Sequence, residues 1–278
     1  MKPLRTREEW AERLIIPLYE EGYILTPWNT EDLDKQENGW ILKNGSWSPW
    51  FFNMRPVGDS PELFSGICRS MADIMQMNEA MDLLIAVEMA GIPLAGGLSV
   101  TLQSLGISQR FGYTRPLPEK VRLPLEALKL LNGISGDVAG YGQKDFVEAR
   151  IKEGDQIAIL DDMANDLGSK LIARTIILWQ AKKQGVGVNC DKIFYFLNRG
   201  IGNRAKAEQF AESGESALSP VKLGIDYVIE FDERLPDLSR VMYPGEFEVI
   251  KSFQENPGQF QDEAVQKEVL AAARKDRG

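Results

Sequence analysis

The strongest constraint on this chain is a unit that recurs along it: a short apolar strand, a loop, then a helix. Leu83–Val87 runs through a turn into a helical pattern over Ile92–Leu105, with Pro93 tolerated in the first turn. Gln156–Leu160 runs through a loop into a helix from about Gly168 to Gln184, stopped by Gly185, and Lys192–Leu197 runs into Asn203–Ser213. Strands that alternate with helices pair in parallel, and the helices then cover both faces of the sheet. The expected fold is α/β, a central, mostly parallel sheet flanked by helices. In such sheets ligands lie at the carboxyl ends of the strands, in the loops that follow.

Outside these units, apolar residues at helical spacing from Glu8 to Tyr19 (Trp10, Leu14, Ile15, Leu18) predict an opening amphipathic helix closed by Gly22. Pro27–Asn38 is polar, acidic and turn-rich, an inserted loop before the strand-like Gly39–Gly45. Pro61 opens a helix to about Met77, and the tail from Tyr243 reads as two polar helices around Asn256-Pro257-Gly258. The division expected is a main domain over 1–240 and a C-terminal helical extension over 241–278.

Composition removes whole classes of chemistry. The 278 residues contain no histidine, which excludes Ser/His and Cys/His triads and His-ligated metals. What remains is carboxylates, Lys, Arg, Tyr, backbone amides or a bound cation. Cys68 and Cys190 have no metal-type spacing and read as reduced structural residues. A net charge of −9 argues against nucleic acid as a partner, since that needs a basic surface. No apolar run approaches the roughly 18 residues of a membrane span, and MKPLRTREEW has no signal-peptide pattern, so a cytoplasmic protein with no membrane association is expected.

The richest chemical segment is Ile157-Ala-Ile-Leu160-Asp161-Asp162-Met-Ala-Asn165-Asp166-Leu167-Gly168-Ser169-Lys170. Two adjacent carboxylates suit ribose hydroxyls and a hydrated Mg²⁺, whereas amides at the helix start suit a phosphate. A sugar phosphate needs both; a plain helix cap fits the same residues. Asp166 turned inward repels a phosphate, and Leu167 is strained wherever the backbone needs a positive φ.

This segment resembles the phosphoribosyl-pyrophosphate (PRPP) motif of type I phosphoribosyltransferases. The stretch Gly39–Asn53, with Leu42-Lys43-Asn44-Gly45 and Ser48-Pro49-Trp50-Phe51-Phe52-Asn53, is similar to the early orotate-site segment of the orotate phosphoribosyltransferase family. Ile85-Ala-Val-Glu88-Met-Ala90-Gly91-Ile92-Pro93-Leu94-Ala95 resembles that family's pyrophosphate loop, and Asn198-Arg199-Gly200-Ile-Gly202 its Asp-Arg-x-x-Gly turn. Phe111–Arg115 and Tyr141–Asp155 resemble the lead-in and exit of its lid, around a longer insertion at 116–140 with a helical run at Leu123–Leu131.

The resemblance implies a sheet with a small hood and a long inserted lid, a homodimer, and phosphoribosyl transfer from PRPP to orotate with Mg²⁺ as cofactor. It assigns Asp161 and Asp162 to the ribose, Asn165, Asp166, Leu167, Gly168 and Ser169 to the 5′-phosphate, and Ala90 and Gly91 to pyrophosphate. Lys43, Phe51, Phe52 and Arg199 fall to orotate, a lysine and two rings around a flat anion. Arg115, Lys120 and Lys144 are the cations available to the lid. A phosphoribosyltransferase for another base, and a catalytically silent relative that binds PRPP or nucleotides, are the alternatives.

Overall fold

The structure, a computed structural model, describes residues 4–30, 39–42, 45–77, 81–134, 145–200 and 223–278. In chain order its elements begin with α1 (Arg7–Glu20), β1 (Ile24–Leu25), β2 (Trp40–Ile41), β3 (Trp47–Ser48), β4 (Phe51–Phe52), α2 (Pro61–Met77) and β5 (Leu83–Ala86). They continue with α3 (Gly91–Ser104), β6 (Arg110–Tyr113), α4 (Pro124–Gly133), β7 (Gln156–Ala164), α5 (Gly168–Gln184) and β8 (Asn189–Asn198). The last are β9 (Gly224–Glu230), α6 (Phe231–Leu238), α7 (Pro244–Glu255) and α8 (Glu263–Arg277).

Contacts divide the chain into two compact units, Met1–Arg7 with Phe64–Val228, and Glu8–Leu63 with Ile229–Gly278. The first holds a five-stranded sheet in the order β6-β5-β7-β8-β9, with β5 parallel to both β6 and β7, and β7 parallel to β8. All four residues of β5 are buried, as are Ile157–Leu160 of β7, the pattern of a sheet covered on both faces. Helix α5 packs Ala173, Ile176, Ile177 and Ala181 into this core and stops at Gly185, whose φ of 72° is the left-handed turn that ends a helix. Cys68 and Cys190 are free thiols, and burial pushes both up to about 12.

Three local expectations change. Strand β7 runs four residues past Leu160 because its ladder with β8 continues through Asp161↔Tyr195 to Ala164↔Asn198, so both acids lie on the strand. Strands β6, with the sequence RFGY, and β9, with GIDYVIE, are additions to the expected strands; β6 is only four residues long, whereas in β9 Ile225, Tyr227 and Ile229 do recur at the strand period of two. The insertion expected as a lid over 116–140 is described to residue 134, and its helix α4 belongs to the core. Ala127 and Leu131 are fully buried, and Trp179 Nε1 of α5 donates to Asn132 Oδ1 at 3.1 Å. The loop at 31–38 and the helix expected at Asn203–Ser213 lie outside the described residues.

The second unit joins α1, two antiparallel ribbons (β1 with β4, β2 with β3) and α6 to α8. Residues 229–278 pack on 8–63 here, whereas the expected division fell at residue 240. Trp50 stacks on Phe231 at 3.8 Å between ring centroids, and Trp28 Nε1 donates to Asp276 at 2.9 Å. At the centre, fully buried Glu246 accepts from the Tyr19 hydroxyl at 2.8 and 2.9 Å and from the Thr26 hydroxyl at 2.5 Å. Among the described residues no helix is long and apolar enough to cross a membrane.

Burial raises the Glu246 carboxyl above its ordinary value of 4.5, the hydroxyls of Thr26 and Tyr19 opposing the shift. A raised folded pKa means that this group's contribution to stability is full below the ordinary value and is lost as pH rises through the folded one. Thermal unfolding of wild type against Glu246→Gln should show the wild-type advantage shrinking as pH rises from 4.5. Glu246→Ala, which strands two buried hydroxyls, should lose about 2–4 kcal/mol in denaturant titration.

Candidate functional site

The site is built on β7. Its first half is held by packing on both faces, which leaves the backbone at Asp161 and Asp162 little freedom. Asp161 is 6% exposed, and its Oδ1 accepts the Asp162 N–H at 2.9 Å; Asp162 Oδ1 in turn accepts the Met163 N–H at 2.8 Å. Asp161 Oδ2 lies 2.6 Å from the ammonium of Lys170, which is 4% exposed on the first turn of α5. The same ammonium donates to the Met163 carbonyl and lies 3.4 Å from Ser169 Oγ. Burial first, then the charge of Asp161, raises the Asp162 carboxyl from 3.8 to about 7, with Lys170 opposing.

Between strand and helix, the Asp166 carboxylate accepts the Gly168 N–H at 2.9 Å, closing a turn just ahead of α5, whose N-cap position is Leu167. Leu167 has φ −93° and ψ 1° and is buried in the sheet core at 4% exposure. Among the described residues no residue other than glycine has a positive φ, so the strain feared at Leu167 does not arise. On one side, the turn after β5 is anchored by the Val87 N–H donating to the Leu160 carbonyl at 2.8 Å. A Cβ on Gly91 would meet that carbonyl oxygen at 2.9 Å and Asp161 Cα at 3.4 Å, so only glycine lets the start of α3 approach the acid pair. On the other side, the Arg199 N–H donates to the Ala164 carbonyl at 2.9 Å, and burial pushes the Arg199 guanidinium down to about 9.

No family model matches the chain. Orotate phosphoribosyltransferase of Sulfolobus acidocaldarius is 24% identical over 133 residues, 48% of this chain. The match spans about half of that relative's length, 54%. Among solved structures, UMP synthase of Leishmania donovani superposes with a TM-score of 0.60 at 16% identity, over 88% of this chain and 42% of that one. Orotate phosphoribosyltransferase from Aeropyrum pernix does so at 0.53 and 18% identity, over 82% of this chain and 99% of that one.

The fold is that of the type I phosphoribosyltransferases. Within it, Asp161, Asp162, Ala90, Gly91, Asn165 to Ser169 and Arg199 gather around the carboxyl end of β7, in the first unit. Arg115 stands apart from that set, just after β6, where its Nε donates to Glu148 and its backbone N–H to the Phe146 carbonyl. Lys120 is exposed between β6 and α4. Phe51 and Phe52 belong to the second unit; Phe52 is 2% exposed and part of its core, while Phe51 stacks on Trp40 at 6.4 Å. Lys43 and Lys144 lie outside the described residues.

The sequence reading assigned Lys170 no role. A signal was present: Lys170 falls on the same helical face as Ala173, Ile177 and Ala181, all buried, so an ammonium there had to find acceptors inside the protein. The two acids in the second half of β7 are the nearest in sequence on a packed strand.

Because the folded pKa of Asp162 is raised, its stabilising contribution is full below 3.8 and is lost as pH climbs through about 7. Wild type should therefore lose stability relative to Asp162→Asn across that interval. A carbon-13 carboxyl resonance absent from the Asn variant should titrate near neutrality; a midpoint near 4 would show that the pair is not coupled in this way.

Proposed function

We propose that the protein transfers the 5-phosphoribosyl group of PRPP to orotate, giving orotidine 5′-monophosphate and pyrophosphate. The observation that carries the reading is the convergence at one strand end of an acid pair, a helix N-terminus behind a short loop, a glycine turn and a buried arginine. Ribose hydroxyls donate to carboxylates, and a 5′-phosphate accepts from helix-start amides, so this set matches both halves of a ribose phosphate. The choice of orotate as the base is supported by the names of two of the three relatives, which are orotate phosphoribosyltransferases.

In this reading Asp161 and Asp162 hold the ribose, and the segment Asn165–Ser169 holds the 5′-phosphate. The C1′–O bond to pyrophosphate breaks as the orotate nitrogen bonds to C1′; the pyrophosphate leaves with the bonding pair, and the proton of the orotate N–H passes to solvent or to the departing pyrophosphate. Positive charge develops at the ribose ring, so fixed carboxylates nearby favour the transition state without acting as bases. Arg199 takes the base on the strength of the sequence motif, and Arg115, Lys120 and Lys144 are the cations for the departing pyrophosphate. A homodimer is part of the same proposal.

Magnesium enters as the counter-ion of the pyrophosphate, carried in with PRPP. The donor set fits that arrangement better than a resident metal. Asp161 engages both oxygens with the Asp162 amide and Lys170, and the described residues assemble no group of three or more His, Cys, Asp or Glu side chains.

A second reading, a relative that binds PRPP without turnover, is favoured by one observation. Asp166 already occupies the Gly168 amide that a 5′-phosphate would use. Pyrophosphate release from PRPP with Mg²⁺ and orotate separates the two. Turnover that falls by about 100-fold or more in an Asp161→Asn/Asp162→Asn variant supports transfer. Binding of PRPP by calorimetry with no release, for orotate or other bases, supports the second reading. Neither binding nor release would remove both.

Asp166→Ala frees the amide and removes a charge beside it. Inorganic phosphate affinity should rise by about 3- to 10-fold, measured by calorimetry at low salt.

A further inference from the structure

The acid pair on β7 carries its counter-ion within the chain. Lys170 and Asp161 are both more than nine-tenths buried. An ammonium has three N–H donors and is tolerated in a packed interior only when they are satisfied. Three acceptors face this one: Asp161 Oδ2 at 2.6 Å, the Met163 carbonyl, and Ser169 Oγ at 3.4 Å. The first two lie on the strand and the third at the start of α5, so one ammonium ties the acids to the loop that follows them.

A structural bridge alone is a poor explanation for this placement. Lys170 stands on a face of α5 with Ala173, Arg174, Ile177 and Ala181; Arg174 satisfies its Nε on the Cys190 carbonyl at 2.7 Å, whereas Lys170 is the one that reaches the acid pair, and an apolar side chain there would avoid desolvating its charge. Its position makes sense if the carboxylate it holds is needed. Two neighbouring carboxylates in a partly dry site repel, and without a cation one of them takes up a proton. Lys170 sets one positive charge against the pair. Asp161, bound at Oδ1 by a backbone amide and at Oδ2 by the ammonium, is kept in a single orientation.

We propose that Lys170 is the positioning residue for ribose recognition: it holds the Asp161 carboxyl in one orientation, and links the acid pair to the phosphate loop through Ser169. The inference rests on the assignment of Asp161 and Asp162 to the ribose. It acts through Asp161, so its loss should cost recognition of the sugar more than recognition of the phosphate.

The test compares ribose 5-phosphate with inorganic phosphate, by calorimetry on the full chain in EDTA, as the ratio of the two affinities. In Lys170→Met the ratio should fall by about tenfold or more, and Lys170→Arg, which keeps the charge but not the geometry of a single nitrogen, should fall between. In an Asp161→Asn background the same Lys170→Met change should move the ratio by less than about twofold, because the group it acts through is gone.

A ratio unchanged in Lys170→Met, or an equal fall in the Asp161→Asn background, overturns the inference while leaving the ribose assignment standing. Wild-type protein that binds neither ligand overturns that assignment and the inference with it. If Lys170→Met does not fold, Lys170→Arg decides: a ratio below wild type supports the role and a ratio equal to it overturns it.

Discussion

Strand β7 is the element on which the first unit depends. It is the central strand of five, hydrogen-bonded to β5 on one side and β8 on the other, and the β8 ladder continues to Ala164. Its apolar first half supplies Ile157 and Ile159 to the core that α5 covers. Burying such side chains contributes roughly 1.5–3 kcal/mol each. That packing fixes the backbone of the next residues, and those residues are Asp161 and Asp162. The site is thus stiff because it continues a strand whose position is set by hydrophobic burial a few residues earlier.

Charge is placed against that rigidity in a graded way. Asp161 is paired with Lys170, while Asp162, with burial and a like charge against it, titrates near neutrality. Asp166 sits exposed at the N-terminus of α5, where the helix dipole favours an anion. Three acids within six residues therefore meet three environments: a buried ion pair, a carboxyl raised by burial and a neighbouring charge, and an exposed turn ahead of the helix. With no histidine in the chain, Asp162 is the group here whose charge changes near pH 7.

The second unit solves a different problem with the same means. Short two-residue strands bury little by themselves. Its tryptophans and phenylalanines supply the area instead, as in the Trp50–Phe231 stack. A single buried carboxylate, Glu246, gathers hydroxyls from Tyr19 and Thr26, residues more than 200 positions away in sequence. The C-terminal helices are held to the N-terminal segment by these contacts.

The sequence by itself determined the alternation of strands and helices, since period and stop signals are local. Helices α2 and α5 begin and end where Pro61, Gly168 and Gly185 place them. The motif order along the chain also pointed to the fold that the superpositions bear out. Tertiary structure decided what depends on partners distant in sequence. The extension of β7 through the acids needed β8 beside it, and the burial of α4 needed α5 to pack on. Leu167 took a core position because the loop turns its side chain inward at negative φ, and Lys170 found Asp161 because the helix start folds back over the strand end. Residue types and spacing could nominate carboxylates for a ribose; only the fold determined which of them is neutralised from within.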